Sequence, residues 1–494
     1  MEKRVFLAFI LSLVVLLVWS KFVPKVQHSA PPVAIQDLPK SDTVVSTSES
    51  IDLPSSSFEM TQNNVTYVFS DTLAAIKEVR FGAYQGYNFP LQKGFFILDG
   101  PLSFTKNIVS DSEVVFTYVD GFKKIVKRFI ISKFNYNIDL SVEIENLTKT
   151  NLDMDLSLVL GEFNFLAKKA QGNFDGAVVS TAEKILRPNI RKDNKYSDLK
   201  FIGLKDQYFC AIVEPGTDKF NGFIKKNKNT SEIGLTNNVS LAPGQLINEK
   251  FRIYLGPQDL KKIYAVNPAW AVIINFGNFD FIGQILLQLL DFLFNLVHNW
   301  GVVIIILSLL IYALLYPLSI KQMRSMKDVQ ALQPKIDAIR VTYKDNPQRM
   351  NKEIFELYRI HKVNPYSGCL PLILQIPVFF ALYQVLIRSV ALKGAHFLWI
   401  KDLSSPDKLF VLTQPFPFEF NLLPILMVVA MFFQQKMTSA NSSNAMSEQQ
   451  KILTVVMPVV FGFVFYNMPS GLVLYWFINN ILMLVTQLKI SKNV

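Results

Sequence analysis

The chain is poor in the residues that carry most enzyme chemistry. Its 494 residues include 4 His and 2 Cys, and the two cysteines, Cys210 and Cys369, fall in regions of different character. That excludes a disulfide framework or a cysteine-based zinc site, so stability rests on packing. Acid is missing where a membrane catalyst would need it. No His, Asp or Glu lies well inside any of the expected spans, whereas proton-coupled carriers and intramembrane metalloproteases normally need one there. No nucleophile motif, metal-ligand cluster or Gly-rich phosphate loop appears, and no cofactor is expected. No RNA- or DNA-binding motif accompanies the net charge of +11, which suits an anionic membrane surface better than nucleic acid.

What is present is apolar. Half of the residues are hydrophobic and 41 are Phe, enough for a soluble domain and a membrane domain in succession. Residues 1–23 open with Lys3 and Arg4 and continue as an apolar run that ends in Trp19, Lys21 and Phe22 without a small-residue cleavage pair. This predicts an uncleaved anchor whose N-terminus stays in the cytoplasm. Residues 24–57 carry Pro24, Pro31, Pro32, Pro39 and Pro54 among Ser and Thr, the composition of a flexible linker. From about 58 to 255 the period becomes two, within a domain expected over 58–265. Ile138, Leu140, Val142 and Ile144 alternate with Asp139, Ser141, Glu143 and Glu145, and the run from Leu152 to Leu160 repeats the pattern. Strands with one buried and one solvated face predict an antiparallel sandwich whose acids are solvated and not paired for catalysis.

The second half is expected to be helical. Residues 280–298 carry Gln284, Gln288, Asp291 and Asn295 as one narrow polar stripe, which predicts an amphipathic helix lying in the interface. Five spans are expected within 299–490, at about 302–318, 369–390, 418–433, 452–466 and 471–488. Between the first two, residues 319–363 are rich in Lys and Arg and predict a cytoplasmic helical hairpin turning at Asp345, Asn346 and Pro347. One face of the first arm is Met323, Met326, Val329, Leu332, Ile336 and Ile339, and the returning face is Met350, Ile354, Leu357 and Tyr358. The hairpin's charges read either as a solvated surface or as a contact for headgroups, nascent chains or a ribosome. The count is six spans with both termini inside.

Polar side chains interrupt these spans. Ser308, Gln375 and Asn479 stand in otherwise lipid-adapted helices, and Pro371 and Pro377 flank Gln375. In hydrocarbon such groups survive only against protein or water, so they read either as the lining of a polar cavity or as Pro-kinked packing. A neutral cavity suits transient hydrogen bonding to passing polar segments. Carrying a charged residue through the bilayer centre costs about 2.5 to 3.5 kcal/mol even on insertion scales.

Several motifs resemble those of the YidC family of membrane-protein insertases. They are Tyr316-Pro317-Leu318, Leu332-Gln333-Pro334-Lys335-Ile336, the Asn364 to Phe379 segment with Pro365, Gly368, Pro371 and Pro377, Leu398-Trp399-Ile400, Asp402-Leu403, and Pro469-Ser470-Gly471-Leu472-Val473-Leu474-Tyr475. The resemblance implies a multi-domain membrane protein of the Gram-negative inner membrane. In order it comprises an anchor helix, a periplasmic antiparallel β-supersandwich similar to sugar-mutarotase folds, and a five-helix core with a cytoplasmic hairpin. It further implies an insertase and chaperone, not an enzyme. Nascent membrane proteins would be its substrates, with the Sec translocon, membrane lipids and, through the hairpin, the ribosome as partners. Ser308 and Gln375 stand at positions similar to the family's polar groove. Tyr312 stands where such proteins usually carry an arginine, four residues before the Tyr-Pro-Leu motif, so the groove here lacks its cation. The C-terminal tail ends soon after Lys489, without an extended basic ribosome-binding segment. A competing reading is a membrane-anchored envelope protein whose sandwich binds or processes a glycan.

Overall fold

The computed structural model describes residues 56–84, 86–98, 102–164, 176–363, 370–412, 418–440 and 448–492. The expected anchor at 1–23, nearly all of the linker at 24–57, and Pro365, Gly368 and Cys369 lie outside them. The chain divides into two compact units, one ending at Ile274 and the other beginning at Asn275.

The first unit is built from antiparallel strands. A nine-stranded sheet runs from the edge strand Ile185–Leu186 through Gly176–Thr181, Leu199–Lys205, Phe209–Pro215, Leu246–Pro257, Asn137–Asn146, Lys123–Ile131 and Glu113–Val119 to Thr105–Ser110. A five-stranded sheet orders Asn194–Tyr196, Asn221–Lys226, Thr230–Leu241, Leu152–Asn164 and Phe96–Ile97, and a four-stranded meander runs from Ser57 to Gly94. The period-two pattern does what its chemistry demands in Asn137–Asn146, where Ile138, Leu140, Val142 and Ile144 are all buried. In Leu152–Asn164 the alternation fails from Leu156 on, where six consecutive residues are buried. Both faces are covered there: a Cβ on Gly161 would meet the Leu204 side chain at 2.6 Å and the Leu91 carbonyl at 3.5 Å. A short helix, α1 (Leu260–Tyr264), capped by Asp259, leads to a segment pinned by Trp270. The Trp270 indole donates to Glu214 Oε2 at 2.8 Å, and Lys205 Nζ donates to the Ile273 carbonyl at 2.5 Å.

The second unit is helical. It contains α2 (Asp280–Val297), α3 (Trp300–Ala331), α4 (Gln333–Thr342), α5 (Pro347–Ile360), α6 (Leu370–Arg388), α7 (Leu422–Ala440), α8 (Glu448–Phe465) and α9 (Ser470–Lys492). Helix α9 packs against α7, α3 and α6, while α2 packs on α6 and α3. Three described segments are long and apolar enough to cross a bilayer, namely Gly277–Val297, Trp300–Ser325 and Ser470–Lys489; Gln375–Arg388, Leu422–Met437 and Val455–Phe465 are shorter apolar helices.

Several element bounds differ from those read in the sequence. The first arm of the expected hairpin at 319–363 is not separate: α3 continues to Ala331 and breaks at Leu332, where Pro334 lacks the donor that a continuous helix needs. Asn346 caps α5 by accepting from Arg349 N at 3.1 Å, with Pro347 at its first position. The stretch expected to begin a span at 418 instead forms strand Phe418–Phe420, paired with Phe410–Leu412 and closed by the stacked rings of Phe410 and Phe420. Helix α2, read as interfacial, is long and apolar enough to span. It buries Gly283, Leu286, Leu290 and Leu293 along one seam and leaves a second apolar face, Phe281, Ile285, Phe292 and Leu296, exposed.

One buried cation organises part of the first unit. Lys127 Nζ donates to the carbonyls of Ala74 and Phe95, both non-glycine residues with left-handed backbone, at φ 50° and 62°. Phe104 and Phe129 present their rings to it at 5.7 and 5.4 Å. Burial lowers its pKa to about 7, from 10.5. A folded-state value below the unfolded one means that the unfolded chain binds more protons between about pH 7 and 10.5, so stability rises with pH across that window. The thermal midpoint of this unit in the full chain is expected to climb between pH 7 and 9, and Lys127→Met to flatten that climb. A slope unchanged in the variant would assign the pH dependence to other groups.

Candidate functional site

Helix α9 carries most of the polar contacts between the membrane helices. Its Tyr475 hydroxyl accepts from Gln375 Nε2 of α6, and its Thr486 hydroxyl accepts from the Tyr312 hydroxyl of α3 at 2.7 Å. Thr486 Oγ1 then donates to its own helix at Leu482 O, 3.0 Å away, so Tyr312 ends a short hydrogen-bonded chain. Tyr475 and Thr486 are eleven residues apart in the sequence, about 16 Å along a helix. The two contacts are therefore separate stations on one spine.

The four residues singled out by sequence divide evenly. Tyr312 and Gln375 reach across to α9. Ser308 is buried and donates to Ile304 O at 2.7 Å, and Asn479 donates to Tyr475 O at 2.9 Å, so both bond back to their own helices. Asn480 does the same toward Trp476 O at 2.8 Å. The partners Tyr475 and Thr486 were not identified beforehand. Tyr475 lies in a quoted motif, but a tyrosine or threonine in a span signals no partner by itself.

The motif prolines and glycines have distinct positions. Pro317 and Pro377 lie inside α3 and α6, Pro371 is the second residue of α6, and Pro469 precedes α9. Gly471 sits at a close approach: a Cβ there would lie 3.1 Å from both Ile304 Cδ1 and the Leu403 carbonyl, tighter than ordinary contact. Beside Gln375, an aromatic cluster ties α6, α8 and α9. Phe379 meets Trp476 edge-on at 5.1 Å, and Phe465 and Phe461 lie 5.4 and 5.9 Å from the same indole. Among the described residues, Trp476 Nε1, Tyr383 Oη and Gln384 Oε1 are buried without a hydrogen-bond partner. The membrane helices thus hold neutral donors and acceptors, some paired across helices and some unpaired.

A family model of the YidC periplasmic domain matches residues 93–289, and one described as the 60Kd inner membrane protein matches 292–494. The membrane protein insertase YidC of Geotalea daltonii is 31% identical over 545 residues, covering 100% of this chain and 99% of that protein. The chain belongs to the YidC family of membrane protein insertases. The YidC of Pelobacter propionicus is 36% identical over 396 residues, 77% of this chain and 71% of that one. A crystal structure of an active YidC insertase with its first transmembrane domain resolved aligns over 87% of this chain and 92% of its own, at 21% identity and a TM-score of 0.43. The strands of the first unit are the YidC periplasmic β-sandwich, and the helices of the second are its membrane region.

The Gln375–Tyr475 bond is open to a thermodynamic test. Removing either partner leaves the other's polar atom in an apolar surround, so Gln375→Leu and Tyr475→Phe should each lower stability by about 0.6 to 1.7 kcal/mol, and the double variant by no more than the worse single one. Thermal unfolding of the three variants in detergent measures this. Additive losses would show that the two side chains do not share a bond.

Proposed function

We propose that this chain inserts integral membrane proteins and helps them fold by lending neutral hydrogen-bonding groups of its membrane helices to polar segments in transit. The observation that carries this reading is the combination of family membership with two hydrogen bonds between membrane helices, Tyr312–Thr486 and Gln375–Tyr475, in which neither partner is charged. A bond between neutral groups in a membrane is worth about 0.6 kcal/mol on average, weak enough to exchange for a substrate's. The substrate's apolar helix supplies the driving force by partitioning into lipid. Ser308, Tyr312, Gln375 and Asn479 line the groove in this reading, and Pro317, Pro365, Gly368, Pro371, Pro377, Pro469 and Gly471 belong to the structural motifs of the chain that carries it.

The topology that goes with it has six spans. An anchor at 1–23 and a linker at 24–57 precede a periplasmic domain over 58–265; α2 lies in the interface, its second apolar face toward lipid; α3, α6, α7, α8 and α9 form the insertase core. Both termini and the hairpin formed by the end of α3 with α4 and α5 are cytoplasmic. Inner-membrane placement follows from the family. Small substrates are handled alone and larger ones beside the Sec translocon, with the ribosome meeting the hairpin. No catalysis is assigned. The relatives are named insertases, so a sandwich that processes a glycan is set aside.

Liposomes containing only the purified protein should protect a small single-span substrate from protease above the level of empty liposomes. No protection with folded protein would make the chain an obligate helper of another translocase. Tyr312→Arg should remain active and shift preference toward substrates with acidic translocated tails, because a guanidinium at this half-buried position both donates to Thr486 and carries the charge that the phenol lacks. Loss of insertion for every substrate would remove Tyr312 from the groove.

A further inference from the structure

Two quoted motifs, 398–403 and 469–475, lie far apart in the sequence, yet the structure joins them. Ser470 N and Gly471 N, in the first turn of α9, donate to the carbonyls of Ser405 and Leu403 at 2.8 and 2.9 Å, and Ser470 Oγ donates to Asp402 O at 3.0 Å. The same loop takes up the start of α7. Asp407, only 3% exposed, accepts at one oxygen, Oδ2, from Leu423 N at 2.9 Å and from the Trp399 indole at 3.1 Å. It also covers the start of α3, where a Cβ on Gly301 would fall 2.0 Å from the Phe397 ring. Asn421 closes the far side, accepting from Lys408 N at 2.9 Å and donating to Tyr466 O at 2.8 Å.

Connecting loops ordinarily run over the surface. This one is buried at Ile400, Leu403, Ser404, Ser405 and Asp407. Three helix amino ends meet it, each with unsatisfied N–H groups and partial positive charge, and it answers α7 and α9 with acceptors. Irregular backbone at such a place persists only when its polar groups are satisfied by protein. Asp407 is the side chain that ties the loop to itself, at Trp399, and to a helix, at Leu423.

We infer that the segment 397–407 is a permeability seal across the outer end of the membrane helices, and that Asp407 is the positioning residue that latches it. The inference rests on the topology proposed above, which puts the amino ends of α3, α7 and α9 on the periplasmic side. A groove that offers hydrogen bonds to polar segments also offers them to water and ions, so a membrane that holds a potential needs one end of it closed.

The test uses the full chain in liposomes, with three readouts on the same preparation: flux of potassium ions and protons, protease protection of a single-span substrate, and the thermal midpoint. Asp407→Asn keeps the shape and weakens both bonds. It should raise ion flux about tenfold while insertion persists, because charge-assisted bonds are roughly twice as strong as neutral ones. Trp399→Phe removes only the indole donor and should give a smaller rise; if Asp407→Asn does not fold, this variant carries the test. Flux at the wild-type level in folded Trp399→Phe and Asp407→Asn, with insertion intact, would overturn the seal alone. Absence of insertion by the unaltered chain would instead sink the proposed function, whatever the flux.

Discussion

A polar group removed from water costs free energy unless protein supplies its partner, and in the helical unit that cost is most severe because hydrocarbon supplies none. Two solutions recur. Ser308, Ser319, Asn479, Asn480 and Thr486 donate to carbonyls one turn back on their own helices, a local solution that costs the packing nothing. Gln375 and Tyr312 use the other, reaching α9 across a helix interface. Because both reach the same helix, α9 is fixed against α6 at Tyr475 and against α3 at Thr486. The loop at Asp402–Asp407 then fixes its amino end. Gln434 of α7 adds a contact to Met483 Sδ at 2.6 Å, and these attachments along one helix leave it little freedom to tilt independently of its neighbours.

The same requirement takes a different form in the sandwich. Lys127 is buried without a carboxylate, and its compensation is two carbonyls and two aromatic faces. Both carbonyls belong to residues in left-handed backbone, a conformation that costs a non-glycine residue roughly 1 to 2 kcal/mol. The lysine needs those two oxygens, and the strained turns need a donor to hold them. Neither makes sense alone, which is why a charged residue stands in a strand whose alternate positions, Ile125, Phe129 and Ile131, are all core.

What the sequence revealed of this follows the range of each interaction. Periodicity and turn chemistry are local, so the strand at Asn137–Asn146 and the turn at Asp345, Asn346 and Pro347 were readable from a few neighbouring residues. The family was readable because its motifs are short and specific. Partners were not, because Gln375 and Tyr475 are 100 residues apart and Tyr312 and Thr486 are 174 apart. A polar residue in a span announces that it must be satisfied without saying whether the answer lies one turn back or on another helix. Ser308 and Asn479 took the first course, and Gln375 and Tyr312 the second. The end of α3 was misplaced for a related reason: the basic residues after Tyr316 suggested a new element, but charge on one face does not interrupt a backbone, and only Pro334 does.

The neutrality of the inter-helix contacts bears on how such a device works. A buried arginine would have to be desolvated at a cost of several kcal/mol, and its attraction for an acidic segment would then repay part of that cost at each passage. Tyr312 avoids the cost and forgoes the attraction. Its phenol is engaged by Thr486, and a substrate group that replaces Thr486 gains only the difference between two neutral hydrogen bonds. In the proposed groove, selection by charge is therefore weak at this position, and discrimination passes to the apolar length of the substrate helix, at roughly 0.8 kcal/mol for each CH₂ withdrawn from water. A few residues of apolar length then outweigh any one polar contact in the groove. On these magnitudes the proposed groove would lower the barrier for polar segments of many kinds, and the bilayer would decide which helices stay.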